Sequence, residues 1–302
     1  MNAWTPDIPI DDEIAQRLIS SKFPELGSIE LQFIGAGWDN HAYLVNRSLV
    51  FRIPHRKLGA DLMANECVVL DRLNRHSLPL LIPDPQYVTP PASDFPYPIA
   101  GYPLIEGKTA DSVLWRDSER AKSAKRLGAF LKSLHRIDVD VPFALGDELK
   151  RADLPFRFAK LEERLKSAPP GFAALLDKLS KTSLHTVANV WVHGDLYARH
   201  LVVDASSMIC GVIDWGDVHV GDPALDIAIA WMFLPPNSWG AFLDAYGGVD
   251  EDTWSRARFR AMTHWLYISE YAAAQADEAL LRECEFVLRN VMEGDQPRPS
   301  CA

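Results

Sequence analysis

Cysteine is scarce in this chain. Cys67, Cys210, Cys284 and Cys301 are the whole complement of 302 residues, and they are scattered without metal-ligand spacing. That pattern excludes a disulfide framework and predicts reduced thiols in a cytoplasmic protein. Long apolar runs are absent too, so no segment is expected to span a bilayer and no membrane partner is predicted. The first residues, MNAWTPDIPIDDEIAQ, are acidic and polar, which does not fit a signal or transit peptide. Internal repeats and low-complexity tracts are missing. Positive charge is in deficit, 31 Lys+Arg against 41 Asp+Glu, and a formal net charge of −10 argues against nucleic acid as the main partner.

What is present is an ordinary globular composition, long enough for one large domain or two lobes with substantial cores. The charge is unevenly placed. Residues 191–302 carry 7 Lys+Arg against 17 Asp+Glu, a balance equal to that of the entire chain, while residues 108–190 carry 16 against 11. Most such carboxylates belong on a solvated acidic surface.

Residues 29–54 read as strands: IELQFIGAG, HAYLVN and SLVFRIP are short β-rich runs separated by turn residues. Leu62, Glu66, Val69, Leu70 and Leu73 then recur at helical spacing and predict a helix. After a proline-rich connection comes the strand-like IAGYPLI. Together these form a mixed sheet carrying one main helix, a small N-terminal lobe. Beyond Gly107 the chain turns helical. Ala124, Leu127, Leu131 and Leu134 make the stripe of one helix over DSERAKSAKRLGAFLKSLH, and Lys132 and His135 suit its last turn. Residues 156–182 read as two short helices broken at 168–171, and 251–293 as one long or two medium helices. VWVHGD, HLVVD and CGVIDWGD are short β-type runs ending on polar residues.

The chemistry is concentrated in HGDLYARH, then GVIDWGD, then GDPALD. Asp195 and Asp214, nineteen residues apart, each stand on a turn leaving a strand-like run. Such a pair suits phosphoryl transfer. One carboxylate receives the acceptor hydroxyl's proton, and the other holds Mg²⁺ against nucleotide phosphates, because positioning and charge neutralisation are the protein's main tasks. A lone HGD is weak evidence, but the three motifs in this order are much stronger.

With these motifs the sequence resembles the aminoglycoside phosphotransferase family, over nearly the whole chain from IGAGWDNHAYLV to GDPALD. The resemblance implies an α+β, bilobal protein-kinase-like fold. Residues 1–106 would be a nucleotide-binding lobe ending in a hinge. Residues 107–302 would be a larger, mostly helical catalytic and substrate-binding lobe with a helical insert near 150–182. It further implies Asp195 as catalytic base and Asp214 as the Mg²⁺-bridging carboxylate, with Asp222 and Pro223 opening a supporting helix. His200 stands where a kinase catalytic loop ends in Asn. A neutral imidazole is a competent ligand, although Mg²⁺ prefers oxygen. The aminoglycoside 2″- and macrolide-modifying branches carry a similar loop ending in His.

In the same comparison Arg52 takes the strand position where many relatives place a phosphate-contacting Lys, with Glu66 as its partner. Gly35 and Gly37 would form the hairpin over the phosphates. GYPLIEG resembles the hinge. Pro103 has no N–H, so Leu104 or Ile105 would supply the donor to the base. Tyr102, at the gatekeeper position, should obstruct adenine and favour GTP over ATP. The expected activity is phosphoryl transfer from GTP or ATP to a hydroxyl of a small molecule. An aminoglycoside-like antibiotic, drawn by the acidic last third and bound by Asp217 and Glu270, is the first expectation. A macrolide held by Trp231, Met232, Phe233, Trp265 and Tyr271, or a metabolic hydroxyl compound, is the alternative. A non-catalytic nucleotide-binding protein is kept open by His200 and Arg52. A protein kinase ranks lower, since no long activation segment separates IDWGD from DPALD. Oligomeric state is unknown from the sequence.

Overall fold

The computed structural model describes residues 6–37, 39–139, 146–147, 149–183 and 188–293. The chain forms two compact units. The first comprises Met1–Ser77, Ile82–Glu106 and Asp214–Asp217, and the second comprises Leu78–Leu81, Gly107–Ile213 and Val218–Ala302.

The first unit opens with a helix that local pattern analysis does not assign. Asp11 accepts the Ile14 N–H at 2.8 Å and caps α1 (Asp12–Lys22), whose Ala15, Leu18 and Ile19 are buried. Next come β1 (Leu31–Ala36), β2 (Asn40–Val45), β3 (Leu49–Pro54), α2 (Lys57–Leu73), β4 (Tyr87–Thr89) and β5 (Ile99–Pro103). The strands form one antiparallel sheet in the order β1-β2-β3-β5-β4. Phe23, Tyr43, Phe51, Ile53 and Ile99 fill the core between sheet and α1. Gly101 is required there, since a Cβ would lie 2.5 Å from the Phe51 ring. The predicted helical stripe is realised in α2 at Glu66, Val69, Leu70 and Leu73, all buried, while Leu62 is half-buried and Met63 takes the buried place beside it. Glu66 is the one charged member of that face, so it needs a partner.

The second unit runs β6 (Lys108–Thr109), α3 (Asp117–Lys122), α4 (Ala124–His135), α5 (Leu154–Ala159), α6 (Glu162–Leu165), α7 (Phe172–Ser180), β7 (Val190–Val192), β8 (Leu201–Val203), β9 (Ile209–Val212), β10 (His219–Gly221), α8 (Ala224–Ile227), α9 (Ile229–Phe233), α10 (Trp239–Tyr246), α11 (Glu251–Gln275) and α12 (Glu278–Glu293). Two small sheets, β10-β7 and β6-β8-β9, fix the ends of the loops that carry the motifs. The single helix expected over 117–135 breaks at Ser123 into α3 and α4, and 154–180 holds three short helices rather than two. The break at 168–171 lies between α6 and α7. Residues 251–293 make two helices, separated where Ala276 takes a left-handed φ of 51°.

Trp231, Trp239 and Trp254 form a buried cluster with ring centroids 4.4, 5.0 and 5.4 Å apart. Trp231, Met232 and Phe233 are therefore core residues of a fully buried α9, and Met232 also lines a small cavity with Tyr197, His264 and Trp265. No helix among the described residues is long and apolar enough to cross a membrane.

Candidate active site

In the second unit, β7 delivers the chain into the HGD turn. Gly194 has a φ of 83°, the left-handed region where glycine is at no disadvantage. The turn is held from below by Asp226, fully buried on α8. Its Oδ2 accepts the His193 N–H at 2.8 Å and its Oδ1 accepts the Gly194 N–H at 2.9 Å, with His135 Nε2 at 3.2 Å. Burial raises the Asp226 carboxyl's pKa, but His135 and the backbone donors outweigh it and keep the group below its ordinary value. The nearby Asp222 pairs with buried Arg256 at 2.7 and 3.3 Å and accepts the Ala224 N–H at 2.9 Å, while Pro223 takes the N-cap position of α8. The His193 ring donates from Nε2 to Ile213 O at 3.0 Å, and its Nδ1 accepts the Asp195 N–H at 3.3 Å. Burial lowers the His193 pKa, so this brace is neutral at pH 7.

Asp195 emerges from this support with two guanidinium groups on one oxygen. Arg151 Nη1 lies 2.6 Å and Arg260 Nη2 2.8 Å from Oδ1, and His264 Nδ1 is 3.7 Å away. Among the described residues, none hydrogen-bonds to Oδ2. The side chain keeps 22% of its exposure, enough for a hydroxyl to approach. Burial alone would push this carboxyl up, but the surrounding cations, Arg151 foremost, hold it well below the usual carboxylate range. His264 is buried and pushed down to about 3 by burial and then by Arg260, so it is neutral. His200 donates from Nδ1 to Asp195 O at 2.8 Å, with its ring against Tyr197, 4.4 Å between centroids. That bond puts the proton on Nδ1 and leaves Nε2 as the basic nitrogen.

In the first unit, Arg52, Glu66, Tyr102 and Asp214 converge. Arg52 Nη1 donates to both Glu66 oxygens at 2.8 Å, its Nη2 donates to Asp214 Oδ1 at 2.9 Å, and the Tyr102 hydroxyl donates to Glu66 Oε1 at 3.2 Å. Burial pushes the Glu66 carboxyl up, opposed chiefly by Arg52, and the Tyr102 phenol is raised by burial and then by Glu66. Asp214 has a φ of 63°, an uncommon non-glycine conformation, and its side chain is 47% exposed.

Other expected residues fall less neatly. Leu104 cannot serve as the base donor, because its N–H is given to Ser48 O at 2.8 Å, which leaves Ile105. Gly35 and Gly37 lie at the β1–β2 hairpin. Neither has a positive φ, and a Cβ at Gly35 meets nothing within 4 Å, so the fold itself does not demand glycine there. Asp217 belongs to the first unit and is partly buried. Glu270, on α11, is exposed and ion-paired with Arg164 at 2.8 Å, so it is not an unneutralised acceptor carboxylate. Sequence analysis passes over Arg151, Arg260, His264 and the role of Asp226. The spacing Arg256, Arg260, His264, at i, i+4 and i+8 along α11, is the signal that marks one polar, buried helix face.

A magnesium ion fits this donor set only in part. Asp214 offers an exposed carboxylate, and Mg²⁺ takes one or two carboxylates while retaining water and phosphate ligands. Among the described residues, no three His, Cys, Asp or Glu side chains are grouped to hold a metal by themselves. A nucleotide-borne Mg²⁺ is therefore compatible with Asp214.

A strand-built unit with a buried Arg–Glu pair, followed by a helical unit with an HGD turn, defines a kinase-like fold. The sequence model of the phosphotransferase enzyme family (APH) matches residues 30–260, and the chain belongs to that family. Viomycin phosphotransferase of Streptomyces vinaceus is 33% identical over 95 residues, which is 30% of this chain and 33% of that protein. The uncharacterized protein YcbJ of Bacillus subtilis (strain 168) is 26% identical over 65 residues, 22% of this chain and 21% of that protein. The matched part thus spans between about a fifth and a third of these relatives. In structure, the chain is similar to the GDP complex of aminoglycoside 2'-phosphotransferase-IIIa (TM-score 0.71, 20% identity, 95% of this chain and 100% of that one). It is also similar to macrolide 2'-phosphotransferase MphH from Brachybacterium faecium (TM-score 0.62, 20% identity, 96% and 100%).

Proposed function

We propose that the chain is a small-molecule O-phosphotransferase that moves the γ-phosphoryl group of GTP or ATP to a hydroxyl. The observation that carries this reading is the Asp195 carboxylate. It stands on a turn immobilised by Asp226, with Oδ2 open to a hydroxyl. Asp195 would accept the hydroxyl proton at Oδ2 as the oxygen attacks. In the first unit, Arg52, oriented by Glu66, would bind nucleotide phosphates through its planar fork. Asp214 would hold Mg²⁺, which when bound neutralises phosphate charge. His200 would be a secondary ligand through Nε2. Gly35 and Gly37 would flank the phosphates, and Ile105 would donate to the base. A preference for GTP follows from Tyr102, whose phenol is anchored inward on Glu66.

An aminoglycoside-like acceptor is supported by the names of the structurally similar enzymes and by the acidic last third. The carboxylates of that third, however, are largely engaged within the fold: Asp222 with Arg256, Asp277 with Arg199, Glu283 with Arg120 and Glu270 with Arg164. A smaller hydroxyl compound therefore stands level with it. The test is nucleotide consumption with aminoglycosides, macrolides, polyols and hydroxy acids, with GTP and ATP in parallel. Acceptor-dependent consumption abolished by Asp195→Ala supports the reading. Nucleotide binding without turnover across the panel overturns it in favour of a binding protein.

A further inference from the structure

The loop that carries Asp195 is braced at its start by Asp226. Its far end is held by Arg199, in the short 3₁₀ turn Ala198–His200. Arg199 Nε donates to Asp111 Oδ2 at 2.7 Å, and its Nη2 donates to Asp277 Oδ2 at 2.5 Å. The two partners lie 88 residues earlier and 78 residues later in the chain. Asp111 is 4% exposed, on the 3₁₀ turn Ala110–Ser112, which packs against both α12 and the turn of Arg199. A carboxylate so buried needs a cation, which sets this pair apart from an exposed surface contact.

Asp277 stands at the corner between α11 and α12. Its Oδ1 accepts the Leu280 N–H at 3.0 Å and so caps α12. Its own N–H closes α11 on Ala272 O at 2.9 Å, beside the left-handed Ala276. Burial pushes the Asp277 carboxyl up, but the Arg199 bond outweighs it and holds the group below its ordinary value. From this corner α11 runs back past the candidate base. It places His264 Nδ1 at 3.7 Å and Arg260 Nη2 at 2.8 Å from Asp195 Oδ1. A helix is stiff along its axis, so whatever holds its C-terminal end also sets where those side chains stand. A displacement of about 1 Å away from Asp195 takes the Arg260 contact beyond hydrogen-bond range.

We propose that Arg199 is a positioning residue. By tying the Asp195 loop to the α11–α12 corner and to Asp111, it keeps Arg260 and His264 in register with Asp195. The guanidinium suits this task, since one planar group directs its N–H donors to two separate elements at once. The tie itself is independent of turnover, and its effect on turnover rests on the phosphotransfer reading.

The experiment uses the full chain with GTP, ATP and the same acceptor panel. Arg199→Gln leaves buried Asp111 without its cation, so Asp277→Asn is the companion variant. Its amide oxygen can still cap α12 while the ion pair is lost. Hydrogen exchange by mass spectrometry and steady-state kinetics are read on both. Asp277→Asn should speed exchange at 273–280 and also at 193–200. It should lower kcat about tenfold or more, with the nucleotide KM within about twofold. Arg199→Lys should recover part of the activity lost in Arg199→Gln, because an ammonium can meet one carboxylate well but not both. Faster exchange confined to 273–280 overturns the proposal, since the corner then stands apart from the Asp195 loop. A kcat within about twofold of the parent, or equal activity of the Lys and Gln variants, does the same. Coupled exchange in a chain that turns over no acceptor upholds the tie and overturns the phosphotransfer reading.

Discussion

Asp226 accepts the Gly194 N–H at 2.9 Å from beneath the HGD turn, 32 residues away in sequence. Its other oxygen takes the His193 N–H, so one buried carboxylate fixes two consecutive peptide groups just before Asp195. Asp226→Asn keeps an acceptor but presents an NH₂ to a backbone donor. It should lower stability by about 2–4 kcal/mol and turnover by more than tenfold, with nucleotide affinity within a few-fold. Urea denaturation and steady-state kinetics check this, and unchanged turnover would show that the turn needs no brace.

The same residue sets a pH dependence. Its folded pKa is depressed, so its contribution to stability is fully present above the unfolded carboxylate value of about 3.9 and is lost as pH falls through the folded value. Asp195 shifts in the same direction. Stability should therefore fall below about pH 4, and Asp226→Asn should flatten that acid limb while lowering the neutral plateau. A variant whose acid limb is as steep as the parent's would remove Asp226 from this role.

Asp195→Ala should abolish transfer with nucleotide affinity within a few-fold, and Asp214→Ala should lose Mg²⁺-dependent nucleotide binding as well. His200 separates two roles. Its Nδ1 bond to Asp195 O and its contact with Tyr197 are structural, while Nε2 is the nitrogen that would meet a metal. His200→Asn should retain measurable activity and His200→Ala should lose far more. Equal activity in both makes the residue a packing element.

Tyr102 bears on the choice of donor. Its phenol is bonded to Glu66 and buried, filling the space beside Arg52. Tyr102→Ala should open that space and move the preference from GTP toward ATP, whereas Tyr102→Phe should keep the GTP preference and weaken only the support of Glu66. Competition binding with both nucleotides decides it. Tighter ATP binding by the parent, unchanged in Tyr102→Ala, would end the argument.

Much of this architecture is legible in local sequence. The period of Glu66, Val69, Leu70 and Leu73 marks α2, and HGD, IDWGD and DPALD each fall at a strand end or tight turn, because such features are local. The helix α1 carries a visible signal, an Asp cap before Ile14, Ala15, Leu18 and Ile19, hidden by the acidity around it. The surroundings of Asp195 are different in kind. Arg260 reaches it from 65 residues later in the chain and Arg151 from the segment before α5, so only the packed chain brings the three together. A regional count of acidic residues misleads for the same reason. Asp222, Asp277 and Glu283 meet arginines that the count places elsewhere or averages out.

Glu270 gives the sharpest test of that last point. On charge balance alone it would bind an ammonium group of a polycationic sugar, and its loss would weaken such an acceptor about tenfold or more. In the folded chain it pairs with Arg164, whose guanidinium lies 4.4 Å over the Tyr267 ring, and the glutamate side chain is 62% exposed. An exposed pair of this kind is screened and contributes little. Glu270→Gln should therefore change kcat/KM by less than about twofold for any acceptor and at any ionic strength, and Asp217→Asn should behave similarly toward acceptors. Both variants are to be assayed with kanamycin-type and macrolide-type acceptors at low and high salt. A salt-sensitive loss confined to the cationic sugar would place these carboxylates at the acceptor and favour the aminoglycoside reading over the alternatives.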